Sequence, residues 1–173
     1  MPLDRGARGV LRHLAATLAY RAAKVTRDVP PGFAATPFGP ATRRPVEIVA
    51  HLADLMAWAV HLARGEHTWV AAGSDDWDAE LTRFFDGLAA LDRELADREM
   101  SQSSIEKLIQ GPLADALTHV GQLAMLRGFS GAPVRPESYA RAEIVIGRIG
   151  RDQAAPRSEF DGDASARASS RTS

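Results

Sequence analysis

The chain predicts an all-α domain, most simply a four-helix bundle, and three observations carry that expectation. Four stretches repeat apolar residues at helical spacing, none alternates in the manner of a strand, and Pro, Gly and Ser/Asp signals bound them at both ends.

The first stretch runs over about 4–27, with Leu11, Leu14, Leu18, Ala22 and Val25 on one face and Pro30-Pro31 as its stop. A loop with Pro37, Gly39 and Pro40 follows. The second helix is expected from Pro45, a residue suited to a first turn, to about Gly65, with the stripe Ile48, Leu52, Leu55, Ala59 and Leu62. The third opens at Ser74-Asp75-Asp76, which offers a cap and negative charge at the positive end of the helix dipole. Its stripe is Trp77, Leu81, Phe84, Leu88, Leu91 and Leu95.

Ser103 and Glu106 have capping-box spacing and predict a short helix to about Gln110, interrupted at Gly111-Pro112. The fourth main helix then covers 112–129, with Gly131 and Pro133 as stop signals. A last short helix over about 136–149 is expected to pack Ala142, Val145 and Ile149 onto the bundle. The stretch 151–173 is rich in Ser, Ala, Arg and Asp and too poor in apolar residues to fold, so the reading is one domain over 1–150 and a disordered tail.

Bulk composition narrows the function classes. The 173 residues are 45% apolar and 25% charged, as in ordinary globular domains, with a net charge of −1. No basic field or basic patch with interleaved aromatics recruits nucleic acid. The absence of cysteine excludes disulfides, thiolate nucleophiles and Cys-ligated zinc, and fits a reducing, cytoplasmic location. The N-terminal stretch has arginines among its apolar residues, unlike a signal peptide, and no segment reads as long enough to span a bilayer.

Two histidines fall on inward faces. His51 lies between Ile48, Leu52, Leu55 and Trp58, whereas His61 shares the polar face with Glu47 and Asp54, His13 lies opposite the apolar stripe, and His67 is in a loop. In the fourth helix Leu113, Leu117, Val120 and Ala124 form a packing stripe. Asp115, His119, Gln122 and Leu126 form a second one, displaced by more than a quarter-turn. A buried carboxylate needs a partner or it protonates. A divalent cation held by His51, Asp115 and His119 supplies one, since imidazole nitrogen and carboxylate oxygen suit Zn, Fe, Ni or Mn. The plainer reading is a hydrogen-bonded core histidine and an i,i+4 Asp–His pair with no metal.

At these residues the chain resembles the DinB-like family, which includes YfiT-type metal-dependent hydrolases and mycothiol- or bacillithiol-dependent transferases and isomerases. "RPVEIVAHLADLMAWAV" resembles the family's second helix, where a histidine follows a Pro–Glu start and a Trp follows the histidine. "DALTHVGQLAMLRGFSGAP" resembles its fourth-helix signature, a His before a Gly-Gln pair with an Arg-containing end leading to Gly-x-Pro. "ESYARAEIVIGRIG" is similar to the closing segment, so the resemblance covers about 5–150.

The resemblance implies an up-down-down-up bundle with a three-ligand metal site between helices two and four, the first histidine being His51 and the one before Gly-Gln being His119. Asp115 stands where the family often has a further histidine. It also implies a metal-dependent enzyme that activates water or a low-molecular-weight thiol against a small-molecule substrate. The alternative is a non-catalytic bundle, a binding or structural homodimer, that keeps the pocket without chemistry. Gln122, Arg127 and Trp58 are the candidates to support the ligands or anchor substrate, and Tyr139 and Glu143 the candidates for a lid.

Overall fold

A computed structural model describes residues 5–161, and these contain helices and no strand beyond one isolated bridge between Glu137 and Glu159. In chain order the α-helices are α1 (Arg5–Thr26), α2 (Pro45–Ala63), α3 (Trp77–Asp97), α4 (Gln102–Leu108) and α5 (Ala114–Phe129). The four long ones enclose the core: Leu11 and Leu18 of α1, Leu52, Leu55 and Met56 of α2, Phe84, Leu88, Leu91 and Leu95 of α3, and Val120 and Leu123 of α5 are all buried. The fold is all-α, as the periodicity predicts.

Long-range polar contacts give the relative helix directions. Arg44, just before α2, reaches Asp75 near the start of α3, Asp54 pairs with Arg83, and Arg64 at the end of α2 reaches Glu94, so α2 and α3 run side by side in one direction. Arg8 and Arg12 of α1 meet Ala96 and Asp92 near the end of α3, which sets those two antiparallel. Arg127 near the end of α5 donates to the carbonyls of Val25 and Arg27 at the end of α1.

Helix starts follow the expected chemistry with one correction. Pro45 opens α2 with Glu47 accepting from the Arg44 backbone N–H, and Asp76 caps α3 by accepting from the N–H groups of Asp78 and Ala79. The cap of α4 is Ser101, which accepts from Ser104 N–H; it is not Ser103, and Glu106 instead accepts from the Gln102 amide. The interruption predicted at Gly111-Pro112 is a π-helical turn over Ile109–Leu113, with Gly111 off helical geometry at φ −94°, ψ −107°. Pro112 has no N–H to continue the ladder, and the chain re-enters the helix at Ala114.

Three expectations are corrected here. The segment 136–149 is no helix: it holds one 3-10 turn, Tyr139–Arg141, and only Ile149 of its three expected packing residues is buried, Val145 being exposed. Gly147 and the β-branched run Ile144-Val145-Ile146 leave too little local preference to hold a helix on one apolar face. Residues 151–161 are not free of the bundle either. Phe160 N–H donates to Pro136 O, Ser138 N–H donates to Ser158 O, and Glu159 reaches the buried Lys24, so polar pairing does what apolar burial cannot. Residues 162–173 of the expected tail lie outside the described residues. Lastly, α2, at 19 residues, is long and apolar enough to cross a membrane by length and composition, but its apolar window is 72% buried inside the bundle.

Lys24 also donates to Glu137, which accepts from Tyr20 Oη as well. Burial alone would lower the Lys24 pKa, but the hydrogen bonds to Glu137 and Glu159 outweigh it and raise it. Ending the chain after Gly150 removes Glu159 and both strap hydrogen bonds. This is expected to cost about 1–2 kcal/mol and lower Tm by roughly 2–8 °C, read from melting curves of the two chains at one pH.

Gly87 makes the close α2–α3 approach possible, since a Cβ there would lie 2.7 Å from Met56 Cβ. Alanine gains about 1 kcal/mol of helix preference but forces a rigid contact worth roughly 1–3 kcal/mol in overpacking. Gly87→Ala is therefore expected to destabilise, with a lower denaturation midpoint at an unchanged m-value.

Candidate metal centre

His51 sits on the second turn of α2, and Asp115 and His119 sit one turn apart on the first turns of α5, on the faces where these helices pack together. The break at Gly111-Pro112 fixes where α5 begins and hence which face Asp115 presents. The ring of Trp58 lies over Gly111, where a Cβ would come within 3.1 Å of it. This contact ties α2 to the turn immediately before Asp115.

One donor atom from each of His51, Asp115 and His119 lies within 4.8 Å of the other two. His51 Nε2 is 3.3 Å from Asp115 Oδ2, and His119 Nε2 is 3.4 Å from Asp115 Oδ1. Each histidine thus meets a different oxygen of the one carboxylate, at a separation close to the edge of about 3.3 Å between neighbouring ligands of a tetrahedral ion. The imidazole rings stand edge to face with centroids 4.7 Å apart. His119 is buried, whereas His51 and Asp115 are partly open, with side-chain exposures of 20% and 45%. A His/Asp/His cluster able to hold a metal ion is thus present, with one shielded side and one open side.

Gln122 sets the orientation of His119. Its Oε1 is 2.7 Å from His119 Nδ1, so in the neutral imidazole Nδ1 carries the proton and donates it. That tautomer leaves Nε2 as the ligating nitrogen on the side facing Asp115 Oδ1. A cation between the two satisfies both, and the outer hydrogen bond is the kind that orients metal-binding histidines. Gln122 is thus in hydrogen-bond contact with His119, as its place on the same helix face predicts. Burial pushes the His51 imidazole below its ordinary pKa of 6.5, against the opposing hydrogen bond to Asp115, with Arg43 and His119 pushing the same way. A neutral His51 is the form that ligates.

The other candidates fall elsewhere. Arg127 is buried at the far end of α5, where its guanidinium donates to the carbonyls of Ala132, Val25 and Arg27. It closes the α1 terminus. Tyr139 packs edge-on against Tyr20 with Arg21 over its ring, and Glu143 pairs with Arg148 and Arg157, so neither forms a lid. Trp58 packs edge-on against Trp69, and Trp69 in turn lies tilted against His51, with ring centroids 5.7 Å apart. Asp54, expected on the solvent face with His61, is buried and paired to Arg83.

Sequence reasoning missed two residues. Trp69 belongs to the 64–76 connection, which is fastened near its end where Ala72 N–H donates to Asp54 and Ser74 N–H donates to Glu80. An aromatic in a polar, Gly-containing loop was the available signal. Arg43, beside the α2 start, borders cavities of about 370 and 280 Å³ that open beside His51 and His119 respectively.

A histidine whose folded pKa lies below its unfolded value binds fewer protons when folded, so stability falls as pH drops through 6.5. The metal-free protein is expected to lose more stability than its His51→Gln variant between pH 7.5 and 5.5. Denaturant melts in EDTA at the two pH values check this; parallel losses would contradict it.

No family model, curated protein or solved structure matches this chain, so the reading of its function stands on the residues themselves.

Proposed function

We propose that the protein is a DinB-like, divalent-metal-dependent enzyme of small-molecule chemistry, with His51, Asp115 and His119 as its three protein ligands. The observation that carries this reading is the convergence of His51, Asp115 and His119, with one ligand atom of each within 4.8 Å of the others and His119 Nδ1 hydrogen-bonded to Gln122. The helix directions given by Arg44–Asp75, Arg64–Glu94, Arg12–Asp92 and Arg127–Val25 support the up-down-down-up order of that family.

Two neutral imidazoles and one carboxylate fit Zn, Ni, Fe or Mn, and leave further coordination positions on the open side. A divalent ion there supplies Lewis acidity and lowers the pKa of a bound water or of a low-molecular-weight thiol. The chain's own residues do the rest. Gln122 holds the His119 tautomer, Trp69 covers one face of His51, and Trp58 braces both Trp69 and the turn that places Asp115. The cavities beside His51 and His119 admit a small electrophile. Hydrolysis, thiol transfer and isomerisation are the reaction types open to such a centre.

Metal titration of untagged protein tests the assignment. One equivalent is expected for the parent. His51→Ala and His119→Ala are each expected to lose most of it, and the double variant little more, while His13→Ala and His61→Ala bind as the parent does. Asp115→Asn keeps the size of the side chain and removes its charge, so affinity is expected to fall about 100-fold or more, and Gln122→Leu roughly 10–100-fold. Asp115→His is expected to retain metal, with preference shifted toward ions that favour imidazole. Equal metal content across the four single His→Ala variants would overturn the site. Given metal, turnover that requires an added thiol separates transferase or isomerase from hydrolase.

A further inference from the structure

The charges around the mouth of the centre are unevenly committed. Arg44 holds Glu47 and Asp75, and Arg83 holds Asp54 and Glu80. Asp115 lies between the two histidines. Arg43 is the remaining cation: it is exposed and has no hydrogen bond or ion pair among the described residues. Yet it borders both cavities at the centre, and it lies near enough to His51 to disfavour its protonation.

The cavity beside His119, about 280 Å³, is bordered by Arg43, His119 and Gln122 on its polar side and by Ile48, Met125 and Leu126 on its apolar side. That volume is at the lower edge of ordinary small-molecule sites. Met125 is 56% exposed although it has apolar neighbours there, so an apolar wall stands ready beside an uncommitted guanidinium.

We propose that this cleft binds a small monocarboxylate: Arg43 takes the carboxylate through its two-pronged donor edge, and the apolar chain lies against Ile48, Met125 and Leu126. The arrangement sets the ligand's other end toward His119. The proposal rests on the metal-centre reading only for what happens next, because the anion contact and the apolar wall belong to the chain itself. A monoanion is favoured over a phosphate dianion because Glu47, Asp54 and Asp75 border the adjoining cavity that Arg43 also lines. Guanidinium–carboxylate pairing is directional and charge-assisted. Arg43 is thus a specificity-determining residue.

The test is an NMR titration of the full chain with pentanoate, run once in EDTA and once after Zn2+ loading. Pentanamide serves as the neutral isostere and inorganic phosphate as the competing oxyanion. The parent is expected to bind pentanoate with shifts at Met125 and Gln122. Arg43→Gln is expected to weaken binding about tenfold or more, as loss of a charge-assisted contact requires, while Arg43→Lys recovers part of it. Zn2+ uptake by Arg43→Gln is expected to equal the parent's. Pentanoate binding that is unchanged in Arg43→Gln, or matched by pentanamide, would overturn the proposal, and displacement by phosphate at lower concentration would overturn the choice of carboxylate. A parent that takes up no Zn2+ would overturn the metal reading instead, and the titration in EDTA decides the carboxylate site independently.

Discussion

A carboxylate held between two imidazoles is the constraint on which the rest of the centre depends. Asp115 reaches both His51 and His119 because α5 starts directly after the π-turn and packs against α2 where Trp58 lies over Gly111. A different start for α5 would rotate Asp115 off that face, since one residue turns a helix by about 100°. The off-helix backbone of Gly111 and the missing N–H of Pro112 are therefore part of how the centre is built.

The remaining buried charges of the bundle are matched by ordinary means. Asp54 and Glu80 share Arg83, Asp92 takes both prongs of Arg12, Glu137 takes Lys24 and Tyr20, and Arg127 spends its donors on three carbonyls. Among the described residues no buried side-chain nitrogen or oxygen lacks a partner. Against that background the centre differs in composition: among the described residues the Asp115 carboxylate is paired with two imidazoles and with no arginine or lysine.

The sequence made the helices and the three donor residues legible because both depend on local spacing. Stripes such as Leu81, Phe84, Leu88, Leu91 and Leu95 read directly as buried faces, and Asp115, His119 and Gln122 share a face by arithmetic alone. Arg127 is not placed by its spacing, because one helix end serves equally for substrate and for neighbouring carbonyls, and its contacts with the α1 terminus come from a hundred residues away. Residues 136–161 misled for a similar reason. Their placement depends on Lys24, more than a hundred residues earlier, meeting Glu137 and Glu159, a pairing that no local window contains. Trp69 and Arg43 escaped because loop residues carry no periodicity to place them.

The central claim is that one divalent ion is held by His51, Asp115 and His119. Anomalous diffraction from crystals of the untagged protein grown with Zn2+ tests it most directly. The account predicts a single strong peak about 2.0–2.2 Å from Nε2 of both histidines and from an Asp115 oxygen, with Gln122 Oε1 still on His119 Nδ1. A peak bound elsewhere on the bundle, or none between these three side chains at saturating Zn2+, would contradict it.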